Sequence, residues 1–327
     1  MACPLGAFAV PSVQPVDVVT MGEAMVLFIA GHSGPLELVH QFKKLSAGAE
    51  LNVAVGLSKL GLRVGYVSRV GNDSFGKFLL NFFDQEKIDR SHVQVDSERP
   101  TGFMLKSVVD GGHDPSIEYH RRGSAASCLG LADNPAEYCG LSKHLHLTGI
   151  APALSASTLE LAFQMAVEAR TQRRSVSLDP NLHPQLWKSP KIMVETINRL
   201  AQQADLVLPG LSEGEILSGS KGVERVADFF LNLGAKQVVI KLGAKGAYFA
   251  DSHRSGLVAA VPVERIVDTV GPGDGFAVGV ISALLEGETL QQATERGNAI
   301  GARVVQFPGD WDGLPDRKQL EQIFPRS

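Results

Sequence analysis

The stretch "DTVGPGDGF" at residues 268–276 brings three glycines, a proline and two carboxylates into nine positions, a composition that contributes little to a packed core. A backbone so bare can approach a ligand closely. If "FAVGVISALLEG", which follows, is a helix, the turn lies at its N-terminus. There, free N–H groups and the positive end of the helix dipole attract an anion, phosphate above all. Asp274 is badly placed beside such a site unless it accepts a proton, which is the geometry of a general base for an attacking hydroxyl. On these residues alone an ordinary capped turn, with Asp268 or Asp274 satisfying backbone donors, stays open as the alternative.

The elements that would hold this turn alternate along the chain. Short β-branched runs ("VDVVTMG", "RVGYVSRVG", "HLHLTGI", "SVSLDPN", "DLVLPGL", "KQVVIKLG") are interleaved with helical patterns such as "AELNVAVGLSKLG", "FGKFLLNFFDQEKI" and "STLELAFQMAVEARTQ". The rhythm predicts βαβ units and a parallel sheet whose carboxyl-end loops gather the binding residues. "AAVPVERIV", ahead of the glycine-rich turn, reads as one more strand. Two segments, about 25–42 and 101–122, break the rhythm, and "TGFMLKSVVDGG" with "SIEYHRRGS" reads as a hairpin. Together they predict a small sheet inserted on the main domain as a lid. The rest reads as one domain, preceded by a loose, proline-broken extension over residues 1–16.

Composition narrows the function classes. The 327 residues are 44% hydrophobic, enough for a large core. With 31 basic and 35 acidic residues, a formal charge of −4 and no basic run, a nucleic-acid partner is not expected. No stretch approaches the roughly 20 apolar residues that span a bilayer. Cys3, Cys128 and Cys139 lack disulfide-framework or metal-site spacing, which fits a reducing cytoplasm. The first βα turn has no G-x-G-x-x-G, against a dinucleotide-dependent oxidoreductase.

"DTVGPGDGF" resembles the second signature of the ribokinase/PfkB family of carbohydrate kinases, D-T-x-G-A-G-D, with Pro272 in the place of Ala. "GAELNVA" at 48–54 resembles the first, G-G/A-x-x-x-N-x-A. The resemblance implies an α/β fold: a ribokinase-like three-layer α/β/α domain with a mostly parallel central sheet and a small β-sheet lid. It implies ATP- and Mg²⁺-dependent phosphorylation of a small-molecule sugar, with a monovalent cation as a further candidate ligand. Asp274 is then the base, Gly271 and Gly273 belong to the anion hole, and Gly48, Ala49, Glu50 and Asn52 lie at the sugar. "VVIKLGAKGAYF" resembles the family's nucleotide-side strand and turn, K-x-G-x-x-G, one strand ahead of the anion hole. It implies Lys241, Gly243 and Gly246 at ATP, together with Asn181, Pro272 and Asn298 of "ERGNAIGARVV". "LVLPGLSEGEIL" stands where N-x-x-E is usual, which implies Glu213 at Mg²⁺ through water, with Gly210 in the place of Asn.

Within the family, "GEAMVLF", "PGLSEGEILSG" and "FPGDWDGLP" are most similar to kinases of a sugar acid, 2-keto-3-deoxygluconate. That resemblance implies Tyr119 and Arg121 of "IEYHRRGS" reaching down from the lid, Arg121 pairing the substrate carboxylate. It implies Asp310 of "FPGDW" at the sugar, His183 of "DPNLHPQLW" where D-x-N-x-R is usual, and Met104 where a Tyr is usual. A homo-oligomer formed through the lid sheet is also implied. The alternatives are fructokinase or ribokinase chemistry on the same scaffold, and a sensor that binds nucleotide or sugar without turnover.

Overall fold

The computed structural model describes residues 15–108 and 115–324, so residues 1–14 of the N-terminal extension and the centre of the lid hairpin lie outside the described residues. The strands are β1 (Val18–Met21), β2 (Met25–Ser33), β3 (Phe42–Ala47), β4 (Val64–Gly71), β5 (Val93–Asp96), β6 (Phe103–Val108) and β7 (Ile117–His120). They continue with β8 (His144–Thr148), β9 (Ser175–Asp179), β10 (Leu206–Val207), β11 (Gln237–Lys241), β12 (Ala247–Asp251) and β13 (Ser255–Val258). One large sheet has the order β13-β12-β11-β10-β9-β8-β1-β4-β5. From β11 to β5 neighbouring strands run parallel, and β12 and β13 add antiparallel at one edge.

Helices cover both faces, as a sheet buried on two sides requires. One apolar cluster joins the sheet to the helices Ala49–Lys59, Ser74–Gln85, Pro272–Leu285 and Leu290–Val304. The other joins it to Ala156–Thr171, Pro190–Ala201, Leu211–Ser218 and Val223–Leu233. This is the three-layer α/β/α arrangement. The helix Pro272–Leu285 matters most for the site. It is apolar all round, with Phe276, Val278, Val280 and Ile281 buried, and lies between Ala49–Lys59 and Leu290–Val304. The last of these comes so close that a Cβ on Gly279 would lie 2.6 Å from the Gly297 Cα. Each fully buried large side chain contributes about 1.5–3 kcal/mol, so the body of this helix from Gly275 on is fixed by its packing, while residues 271–274 are only partly buried.

Two expectations need correction. "AAVPVERIV" is not a strand: the chain leaves the sheet after Val258 and is irregular until the helix begins at Pro272. Pro262 has no N–H to give to a ladder, and Val261 and Ile266 are 43% and 49% exposed, so their apolar surface serves a cleft rather than the core. Two antiparallel strands, β12 and β13, therefore separate the Lys241 turn from the glycine-rich turn, not one.

The small sheet has the order β3-β2-β6-β7, with β2 and β6 parallel and the outer pairs antiparallel. Its first segment extends past Phe42 to Ala47, because β3 is an edge strand. Lys43 and Lys44, which look loop-like in sequence, stand exposed on it. The faces alternate. Met25, Leu27 and Met104 form one apolar side with Ala47. On the other, the rings of Phe28 and Phe103 meet Phe75 of the helix Ser74–Gln85 edge-on, at centroid distances of 5.5 and 5.7 Å. Among the described residues no helix is long and apolar enough to cross a membrane.

Candidate active site

The helix Pro272–Leu285 starts without a side-chain cap. Its N-cap, Gly271, has φ 95°, in the left-handed region, and a Cβ there would lie 2.3 Å from the Asp310 carbonyl oxygen, so only glycine fits without a shift. Pro272 occupies the first helical position, where its missing N–H is no loss to the helix. The N–H groups of Gly273 and Asp274 have no intrahelical partner and remain as donors.

Two cavities meet at this turn and share Lys241 and Gly273 in their walls. The first, about 260 Å³, is lined by Gly48, Ala49 and Asn52 at the start of the helix Ala49–Lys59, and by Met25, Met104, Tyr119 and Arg121 from the small sheet and its end. Asp179, Asn181, His183, Glu213, Gly271, Asp274 and Asp310 complete it. The second, about 620 Å³, is walled by Gly243, Gly246, Val261, Pro262, Ile266, Pro272, Phe276 and Asn298.

Asp274 Oδ2 accepts a hydrogen bond from Asn52 Nδ2 at 2.8 Å. Burial pushes the Asp274 carboxyl up to about 8; the Asn52 hydrogen bond opposes this, and the nearby carboxylates of Asp179 and Asp310 add to it. Lys241 Nζ lies 2.6 Å from Asp179 Oδ2. Burial alone would lower the lysine's pKa, but Asp179, Glu213 and Asp274 hold it raised, so it is a permanent cation at the junction of the cavities. Burial pushes Asp179 up to about 6 against the pull of Lys241. Its Oδ1 is a buried acceptor without a partner.

Arg121 lies one residue past β7 and is 8% exposed. Its Nε donates to Glu23 Oε2 at 2.6 Å, which fixes the guanidinium plane without engaging the terminal nitrogens. The guanidinium carbon sits 5.8 Å from the Tyr119 ring, and that ring meets His183 edge-on at 6.3 Å. Burial lowers the His183 pKa and the neighbouring Arg121 lowers it further, so this position supplies a neutral imidazole where the resembling pattern has a cation.

The structure brings most of the expected residues together, with four qualifications. Glu50 does not line the cavity: it is fully buried behind it, where Oε1 accepts from Thr148 Oγ1, because the first helical turn directs it inward under Gly22. Asn181, expected at the nucleotide, lines the first cavity instead, held at φ 37° in the loop after β9. Glu213 is already engaged, accepting from the N–H groups of Leu182 and Gly210, both at 2.7 Å. Asn298 donates to the carbonyls of Val258 and Ala259 at 3.2 and 3.0 Å, so it anchors the wall of the second cavity as well as facing it. Sequence reasoning missed Asp179, Glu23 and Lys106 as parts of the site, and raised Asp268 only as a carboxylate satisfying backbone donors, which it does for Val270 and Gly309. For Lys106 a signal existed, a lone charge inside the apolar run "GFMLKSV".

The family described as pfkB family carbohydrate kinase matches residues 16–317. A protein of Bacillus subtilis (strain 168) named 2-dehydro-3-deoxygluconokinase is 49% identical over 309 residues, which cover 94% of this chain and 95% of that one. The crystal structure of a PfkB protein from Polaromonas sp. JS666 superposes with a TM-score of 0.87 at 51% identity, covering 94% of this chain and 99% of that chain. A ribokinase-type chain from E. coli, solved in complex with ATP and Mg²⁺, has a TM-score of 0.88 at 24% identity over 95% of this chain and 100% of that one, a likeness of fold.

Proposed function

Because this chain belongs to the pfkB family of carbohydrate kinases, with ATP as phosphoryl donor and Mg²⁺ as its companion ion, we propose that it phosphorylates 2-keto-3-deoxy-D-gluconate to 2-keto-3-deoxy-6-phosphogluconate. The observation that carries the sugar acid is Arg121, a guanidinium locked by Glu23 in the wall of a sugar-sized cavity. Glu23 engages only Nε, so a neutral sugar would leave the terminal nitrogens without an anionic partner, whereas a carboxylate accepts from both of them.

In this reading the apolar second cavity takes the nucleoside and the turn at 271–274 takes the transferring phosphoryl group between the cavities. Asn52 orients Asp274, which accepts the proton of the 6-hydroxyl as its oxygen attacks the γ-phosphorus and the bond to the β,γ-bridging oxygen breaks, with ADP as the leaving group. The N–H groups of Gly273 and Asp274 and the Lys241 ammonium stabilise charge on the equatorial oxygens. Mg²⁺, when bound, would supply positive charge to offset that of the phosphates. The unpaired Asp179 Oδ1 suits this end of the site to a hydrated cation, which Asp179 and, through water, Glu213 would hold. The small sheet acts as the cover of the first cavity, and a homo-oligomer through that sheet in a reducing cytoplasm completes the proposal.

Coupled ADP-release assays with 2-keto-3-deoxygluconate, fructose and ribose test the substrate, and a preference for the neutral sugars defeats it. Arg121→Ala should raise KM for the sugar acid roughly tenfold to a hundredfold, the loss of a charge-assisted contact of about 1.5–3 kcal/mol, with KM for ATP nearly unchanged. Equal KM values for the two proteins would remove the sugar acid and leave only the family.

Asp274 works deprotonated, and its pKa is raised. Activity is therefore present above about 8 and lost as pH falls below it. kcat/KM for the sugar should drop by about tenfold per pH unit on that limb, where an ordinary carboxylate would give a flat profile down to about pH 5. A profile flat from pH 6 to 9 would contradict the raised pKa and leave the role of Asp274 to its substitution by Asn.

A further inference from the structure

Lys106 is a charge that phosphoryl transfer itself leaves unexplained. It sits on β6 with its side chain 3% exposed, and its Nζ lies 2.6 Å from Asp268 Oδ2 and 2.9 Å from Asp310 Oδ1. Burial would lower its pKa, but Asp310 and Asp268 hold it raised, so the ammonium stays charged. Its partners hold the site's backbone. Asp268 Oδ1 accepts from the N–H of Val270 at 3.0 Å, just ahead of Gly271, and Asp268 Oδ2 accepts from the N–H of Gly309 at 3.2 Å. The Asp310 carbonyl packs against Gly271, and the Asp310 carboxylate acts on Asp274. One ammonium thus ties the small sheet to the start of the glycine-rich turn and to the loop that backs it.

We propose that Lys106 is a positioning residue, whose ammonium serves as a built-in cation for the 268–274 turn and makes the anion hole depend on the small sheet being in place. Taking the ammonium away leaves two buried carboxylates facing each other, and their repulsion loosens the segments they hold. With the sheet displaced the turn loses its support, so the anion hole is complete only over a covered sugar. The proposal rests on the kinase reading above.

The test is Lys106→Met in the full chain, with ammonium or methylammonium added to the assay. kcat should fall about tenfold to a hundredfold, the scale of a turn misplaced by about 1 Å, while KM for ATP and sugar changes little. The amine should restore a large part of kcat in a saturable way, which no merely structural defect predicts. A kcat within about twofold of wild type, or a loss that neither amine relieves, overturns the proposal. Native-state hydrogen exchange on the wild-type protein, which needs neither the variant nor a substrate, gives the second arm. The amides of Val270 and Gly309 should open with those of β6 as one unit under mild denaturant. Independent opening of the turn and β6 overturns the proposal. Wild-type protein without ATP-dependent turnover on any sugar would sink the kinase reading instead, and the exchange arm would still decide the role of Lys106.

Discussion

Asp274→Asn is expected to lower kcat by roughly 10³–10⁴-fold and to leave ATP binding nearly intact, the combined loss of a general base and its orientation. The substitution keeps the volume of the side chain and, by turning its amide, the contact with Asn52. Its effect on stability should have the opposite sign. The Asp274 pKa is raised to about 8 in the folded protein, so the fold favours the protonated form. Above the unfolded carboxylate's pKa the ionised group works against folding, increasingly until pH passes the folded value. The neutral Asn escapes this, and the variant should melt no lower than wild type near pH 8, in scanning calorimetry or by circular dichroism. A kcat within about tenfold of wild type would remove Asp274 from the chemistry. A marked drop in melting temperature would mean that the carboxylate is structural.

That opposition between stability and chemistry explains which parts of the site the sequence revealed. Residues 268–276 were legible because three glycines and a carboxylate at the head of a helix apolar all round are an unusual composition, and the resemblance to a known signature chose the anion site over a plain capped turn. The alternation of strands and helices was legible for the same local reason, since burial on both faces of β1 and β11 leaves short apolar runs. The 259–267 stretch misled because apolar residues that line a cleft and apolar residues that line a core look alike until Pro262 is weighed.

What stayed hidden is what the fold assembles from distant segments. Lys106 lies 162 positions from Asp268 and 204 from Asp310, and no spacing rule joins them. Glu23 and Arg121 are 98 apart, and the pairing exists only because β7 delivers Arg121 beside the loop after β1. Glu50 shows the converse. A first-turn glutamate in a sugar-binding signature looks like a ligand contact, but the direction of its Cα–Cβ bond buries it against Thr148. Motif membership located the site, while side-chain direction, which the motif does not encode, decided which members face the cavity.

The two glycines of the turn should come apart under substitution. Gly271→Ala places a Cβ 2.3 Å from the Asp310 carbonyl oxygen at φ 95°, so it meets both a backbone atom and a left-handed conformation. The conformation alone costs about 1–2 kcal/mol. The contact is relieved only if the turn rotates or the 309–310 loop retreats, and a retreat draws Asp310 away from Lys106. Either movement shifts the N–H groups of Gly273 and Asp274, and kcat should fall by roughly 10²–10³-fold, the scale of losing an oxyanion-hole donor, together with several degrees of melting temperature. Gly273→Ala meets nothing nearer than the Lys241 Nζ at 3.7 Å, an ordinary contact. It should melt with the wild type and lose activity only by crowding the phosphoryl group. Steady-state kinetics and thermal melts of the two variants side by side make the comparison. If Gly271→Ala kept both its activity and its melting temperature, the turn would be free to move without consequence, and an anion hole cannot be built on such a turn.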